Sequence, residues 1–242
     1  MGLKASVTSP KKPQGKRVEQ VELAEDNFPC RVAQVIDLGR HKRETYDTVN
    51  RKYVVDDSKA PANMVMLTYE FTTEFMKDED GNDLEDKPRW LSETLPIFAL
   101  DIELATSTKR MKAFDPDFTK FEGDWEAVAG EPCAVTIVHK QNGKAKIGSV
   151  NKPMKGMVVP ELKNPVKVFS LDAPDMEIFN SLPEWLQDKI KSNLDFKGSA
   201  LAVALSGGEV VQKPKKEEKP AQEAVQETPE PDVTEEDEDA PW

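Results

Sequence analysis

Between Asn63 and Phe75 the chain alternates without a break. Val65, Leu67, Tyr69, Phe71, Thr73 and Phe75 fall on one register, and Met66, Thr68, Glu70, Thr72 and Glu74 on the other. Successive strand residues point to opposite faces, so period two over this length predicts a half-buried β-strand. A chain built around such a strand must find it partners. Cys30 to Leu38 is apolar and bounded by Pro29 and Gly39, and reads as one. Arg89 to Leu100 reads as another, with Leu91, Leu95 and Ile97 on one face and Trp90 on the other; Asp78 to Asp86 forms the acidic turn before it. Pro132 to His139 and Lys144 to Val150 flank Gln141-Asn142-Gly143, where Asn-Gly suits the positive φ of a hairpin turn.

Helical signals are fewer. Thr106 to Phe114 predicts a short helix that stops before Pro116, and Phe121 to Ala129 a second. Ile178, Leu182, Leu186 and Ile190 repeat every four residues within Ala173 to Leu194, with Pro183 starting the main helix. Residues 40–62 read as a long polar loop or loosely paired excursion. About five strands, with irregular or helical matter between the third and fourth, fit a mainly β fold: an OB-like five-stranded Greek-key barrel with added helices and disordered termini. A β-sandwich or an α+β domain fits a similar pattern.

The ends differ from the middle. Hydrophobic residues make up 38% of the chain, below the roughly 45–50% of ordinary globular chains, so part of it is expected not to fold. Acids concentrate after Glu209, with eight and no base from Glu227 onward. A self-repelling, proline-rich segment has too little apolar surface to offset its ordering entropy. Residues 206–242 are therefore expected to form a disordered acidic tail, closed by Trp242. Residues 1–20 are expected to form a flexible basic arm with Lys4, Lys11, Lys12, Lys16 and Arg17. Residues 21–205 are the folded domain. No run of about 18 apolar residues predicts a membrane span, no apolar segment near Met1 predicts a secretory signal, and two cysteines make no disulfide framework, so a cytoplasmic location is expected.

Residues 28–39 (FPCRVAQVIDLG), 65–71 (VMLTYEF), 130–139 (GEPCAVTIVH) and 182–190 (LPEWLQDKI) together resemble a family of tailed-phage single-stranded DNA-binding proteins. The acidic end closing on an aromatic resembles the tails of phage and bacterial single-stranded DNA-binding proteins. The resemblance implies an OB barrel whose groove binds single-stranded DNA. It also implies a tail that recruits replication, recombination and repair enzymes (a polymerase, helicase or nuclease), in a host cytoplasm if the chain is phage-encoded. The bacterial tail usually ends in phenylalanine, so Trp242 leaves the choice of partner open. The excursion at 40–62 and the helix at 183–194 exceed a minimal OB fold.

Single strands are held by cations on phosphates and rings under bases. One cluster interleaves Arg40, Lys42 and Arg43 with Tyr46, then Arg51 and Lys52 with Tyr53. A second sets His139, Lys140, Lys144, Lys146 and Lys152 around a hairpin, and Trp90 is a third candidate. The alternative for each is a solvated loop charge or a packed ring. At the tip, Glu235, Glu236, Asp237, Glu238, Asp239 and Trp242 would bind a partner, the ring in an apolar pocket and the acids at a basic rim. A tethered polyanion also competes with DNA at high effective concentration, so deleting Glu227–Trp242 should tighten DNA binding and flatten its salt response. Trp185, Leu186 and Ile190 suit either a sheet-covering face or a homodimer contact.

Catalysis, metals and cofactors find little footing. His41 and His139 are the two histidines, and their spacing from Cys30 and Cys133 matches no zinc finger; both cysteines fall in apolar strands as buried thiols. Asp78 to Asp83 places its glycine wrongly for an EF-hand. Asp115, Asp117, Glu122, Asp124 and Glu126 lack the base of a metal-dependent nuclease, and no phosphate-binding glycine loop occurs. No enzyme activity, cofactor or metal is expected. The competing reading is a protein-interaction adaptor with an OB-like or sandwich domain and no direct DNA role.

Overall fold

A computed structural model of the chain describes residues 18 and 20–207. The basic arm up to residue 17 and the acidic tail from residue 208, with Glu235 to Asp239 and Trp242, lie outside the described residues. The fold is mainly β. The strands are β1 (Asn27–His41), β2 (Glu44–Asp47), β3 (Lys52–Val55), β4 (Ala62–Lys77), β5 (Asp83–Pro96), β6 (Pro132–His139), β7 (Ala145–Asn151) and β8 (Lys167–Phe169). The helices are α1 (Thr106–Phe114), α2 (Met176–Ser181), α3 (Glu184–Lys191) and α4 (Ala200–Leu205). Among the described residues, six strands share one sheet in the order β5-β4-β1-β6-β7, with β8 on β1, and β2 and β3 pair only with each other.

The long strand β1 organises the rest. One edge pairs antiparallel with β4 from Cys30↔Phe71 to His41↔Ala62. The other is shared: Asn27 to Arg31 pair with β6, and Gln34 to Ile36 with the parallel β8. Two register shifts bend β1, one between the β6 and β8 stretches and one just beyond the β8 stretch. At the second, Gly39 has φ +80° and approaches Asn193 and Leu171 so closely that a Cβ would sit 2.7–2.8 Å from their side chains. Glycine alone fits there without displacing the turn after α3.

The interior holds Val32 and Val35 of β1, Val65, Leu67, Tyr69 and Phe71 of β4, Leu95 of β5, Val135 and Ile137 of β6, and Ile147 and Val150 of β7. Met111 and Phe114 of α1 cover it. A second apolar layer lies on the opposite face of β1 and β4, where Ile36, Leu38 and Met66 meet Phe169, Phe179, Leu186, Ile190 and Leu201.

Several expectations change. β4 is covered on both faces rather than half-buried, because Met66, Thr68, Glu70 and Thr72 are buried as well as the odd-numbered register. Of the two readings of residues 40–62, the paired excursion is the one observed, as the β2–β3 ribbon. Phe121 to Ala129 holds only a 3-10 turn at Glu126–Val128. The helix at 173–194 is two helices: proline restricts the residue before it, and Leu182 stands extended at ψ 149° ahead of Pro183. β8 and α4 carry no sequence expectation. Cys30 and Cys133 are buried free thiols opposite one another in the β1–β6 register, and burial pushes both thiols up. Among the described residues, no helix is long and apolar enough to cross a membrane.

Candidate nucleic-acid interface

The first cluster sits on and around the β2–β3 ribbon, which leaves the sheet where β1 ends and β4 begins. Tyr46 and Tyr53 are cross-strand partners in edge-to-face contact, ring centroids 5.4 Å apart. Lys52 pairs with Asp47 in the register, and Arg51 holds φ +49° in the tight turn between the strands. All four residues of β3 are exposed. At the neck, the Arg43 guanidinium lies 5.1 Å from the Phe98 ring centroid. The Lys42 ammonium pairs with Asp57 at 2.8 Å. Arg40 makes a two-pronged contact with Asp195, Nε to Oδ2 at 2.8 Å and Nη2 to Oδ1 at 2.7 Å. That hydrogen bond holds the Asp195 carboxyl below its usual range. Exposed pairs of this kind are worth about 0–1 kcal/mol, so a phosphate can exchange for either carboxylate. His41 is buried beside this cluster, its Nε2–H donating to the Leu38 carbonyl at 2.9 Å, and burial pushes its pKa down.

The second cluster occupies the β6–β7 hairpin. Lys140 and Lys144 close the turn by backbone bonds around Gly143, whose φ is +77°. Lys146 lies opposite Val138 in the register, and Lys152 is exposed just beyond β7. His139 serves the fold: its backbone N–H donates to Glu25 at 2.7 Å and its ring Nε2 to the Leu23 carbonyl at 2.6 Å. The Ala145 N–H donates to Glu22 at 3.2 Å. The same N-terminal segment reaches the far edge of the sheet, where Gln20 exchanges two hydrogen bonds with Lys77 and Arg89 donates to the Val21 carbonyl. It thus spans the gap between β7 and β5.

The registers fix where the clusters stand. The ribbon follows His41 at the C-terminal end of β1. The β6–β7 turn follows His139, beyond the Asn27↔Thr136 pair at its N-terminal end. Along the bent strand the separation is up to about 45 Å of contour. The clusters therefore flank the sheet rather than merge into one patch. Trp90 lies between them on β5, 40% exposed, with its indole N–H on the Glu70 carboxylate at 2.9 Å. The outer register of β5 continues past it through exposed Ser92 and Thr94. Phe98 and Glu70 carry no expectation of their own. A ring two residues after β5 and an acid in a strand's polar register become informative only once the pairing places them beside Arg43 and Trp90. No family model, curated protein or solved structure matches the chain.

Proposed function

We propose that this protein binds single-stranded DNA on the outer surface of an OB-type barrel, as the resemblance to tailed-phage single-stranded DNA-binding proteins implies. The observation that carries the reading is Trp90, a half-exposed ring on β5 with a cation-bearing hairpin toward each end of the sheet. Such an arrangement lets a strand run along β5 with a base on the ring and phosphates on the lysines and arginines. The OB assignment draws support from the order of elements. β1, β4 and β5 form a meander, α1 falls between β5 and β6, β6 returns to β1, and β7 comes into contact with β5. Stacking and phosphate contacts carry no strong sequence code, so the protein coats strands of any sequence. Its acidic tip recruits polymerase, helicase or nuclease during replication, recombination and repair.

The test is tryptophan fluorescence titrated with oligo(dT) across a salt series. Quenching with a steep salt slope is expected. Absent quenching, with tail-dependent binding of other proteins, would instead favour the adaptor reading. That reading has its own observation in Trp185, 63% exposed on α3.

A further inference from the structure

Glu70 is the residue of β4 that the strand pattern explains least. Its neighbours across the sheet are Arg31 on β1 and Trp90 on β5, so the three form one row on the outer face. An acid there would ordinarily meet water, yet Glu70 is fully buried. The segment between β7 and β8 covers it. Arg31 holds that segment by its backbone, Nε donating to the Pro160 carbonyl at 2.8 Å, and by Glu161 at 2.7 Å. Glu70 holds it further on: Oε1 accepts the Lys163 backbone N–H at 2.7 Å, and Oε2 accepts the Asn164 side-chain amide at 2.8 Å. The same Oε2 accepts the Trp90 indole N–H. A buried carboxylate is tolerated when donors meet both oxygens, and here two donors come from the covering segment and one from the ring.

One carboxylate therefore fixes two things a nucleic acid would use. The indole N–H bond sets the plane of the Trp90 ring and leaves part of its surface exposed. The bond to Lys163 places that residue within about 8 Å of the indole nitrogen, the span of two hydrogen bonds and a carboxyl group. Lys163 is exposed, and among the described residues its ammonium makes no ion pair. From this juxtaposition, and resting on the single-strand reading above, we infer that Glu70 is the positioning residue of the interface and that Lys163 contacts phosphate beside the base stacked on Trp90. Glu70 touches no DNA itself. It holds ring and lysine in the bound arrangement beforehand, which lowers the ordering cost of binding.

The experiment uses the full chain. Affinity for fluorescein-labelled oligo(dT) is measured across salt for wild type, E70A, W90A, E70A/W90A and K163A. Polarised emission of Trp90 is followed in a W125F/W185F/W242F background, which leaves it as the sole tryptophan, and far-UV circular dichroism checks the fold. W90A should weaken binding by about tenfold, the loss of one stacked base. E70A should weaken it at least comparably, yet add to W90A no more than K163A costs alone, because it acts only through the ring and Lys163. K163A should lower the slope of log affinity against log salt by about 0.7, one phosphate on a single strand, and E70A should remove the same increment. Emission from Trp90 should depolarise in E70A. Equal damage by E70A with and without Trp90, or unchanged affinity in E70A, overturns the inference while wild-type binding stands. Failure of the wild type to bind oligo(dT) overturns the single-strand reading and the inference together. Should E70A lose the wild-type spectrum, W90F keeps Glu70 and a ring but removes the N–H. Weaker binding by W90F supports the lock, and wild-type affinity overturns it.

Discussion

The β2–β3 and β6–β7 hairpins both carry several cations and close on tight turns, yet they belong to the molecule in different ways. β6 sends Val135 and Ile137 into the core, and β7 sends Ile147 and Val150, while β6 pairs along β1. β3 has the equally apolar Val54 and Val55, and leaves both exposed. Among the described residues, the ribbon's strands have no sheet neighbour besides each other. A two-stranded ribbon alone is marginally stable in water, so its order depends on cross-strand contacts and side-chain bonds at its neck. Interleaved charge and aromaticity in a sequence therefore says nothing about how firmly the surface that carries it is held.

Removing apolar side chains separates the two hairpins most. Ile137→Ala opens a cavity beneath β6 and should cost about 2–5 kcal/mol in urea denaturation. Val54→Ala in the ribbon should stay within about 0.5 kcal/mol. A large loss from Val54 would show that the ribbon is integrated in the fold, and the contrast would fail. Binding should rank the hairpins more evenly. Arg51→Ala with Lys52→Ala, and separately Lys144→Ala with Lys146→Ala, should each lower the salt slope of oligo(dT) affinity by about 1.4 if each residue meets one phosphate. A loss confined to one pair would place the strand's path on that side of the sheet. Tyr46→Leu removes an edge-to-face pair worth about 0.5–1.5 kcal/mol. Hydrogen exchange should quicken in residues 44–55 and stay unchanged in β1 and β6, since local opening need not involve the core.

What could be read from the sequence follows the same division. The β4 alternation, the helix at Thr106–Phe114 and the Asn142-Gly143 turn were legible because their causes are local: period, a following proline, a glycine with positive φ. Burial of the polar register of β4 was not, because its cover comes from the segment near Lys163 and from α2 to α4, about a hundred residues onward in the chain. β8 was hidden for a related reason, since three residues of parallel pairing leave no period to detect. Candidate site residues were legible as types. Whether each was engaged was not: Arg40 is tied to Asp195, 155 positions away, and His139 to a segment that precedes β1.

The ribbon's neck offers the smallest and most specific test. The Asp56 carboxylate accepts from the Ser58 hydroxyl, from the Thr45 hydroxyl at 2.9 Å and from the Ser58 backbone N–H at 3.0 Å, while the Asp56 N–H donates to the Arg43 carbonyl. These donors, the Ser58 hydroxyl foremost, pull its pKa from 3.8 to about 2. Above about pH 4 the folded and unfolded chains both carry the charge, and the neck contributes its full stabilisation. As pH falls from there toward 2 the unfolded chain takes up the proton first, and the contribution disappears as the folded carboxyl titrates. The carboxyl carbon of Asp56 followed by NMR should therefore titrate near pH 2, and Ser58→Ala should move its midpoint toward 3.8. The same substitution should quicken amide exchange in residues 44–55 while leaving the β6–β7 hairpin untouched, because that hairpin stands at the opposite end of β1. An Asp56 midpoint indifferent to Ser58 would mean that the ribbon is anchored by something other than its neck, and its difference from the β6–β7 hairpin would then lie in packing alone.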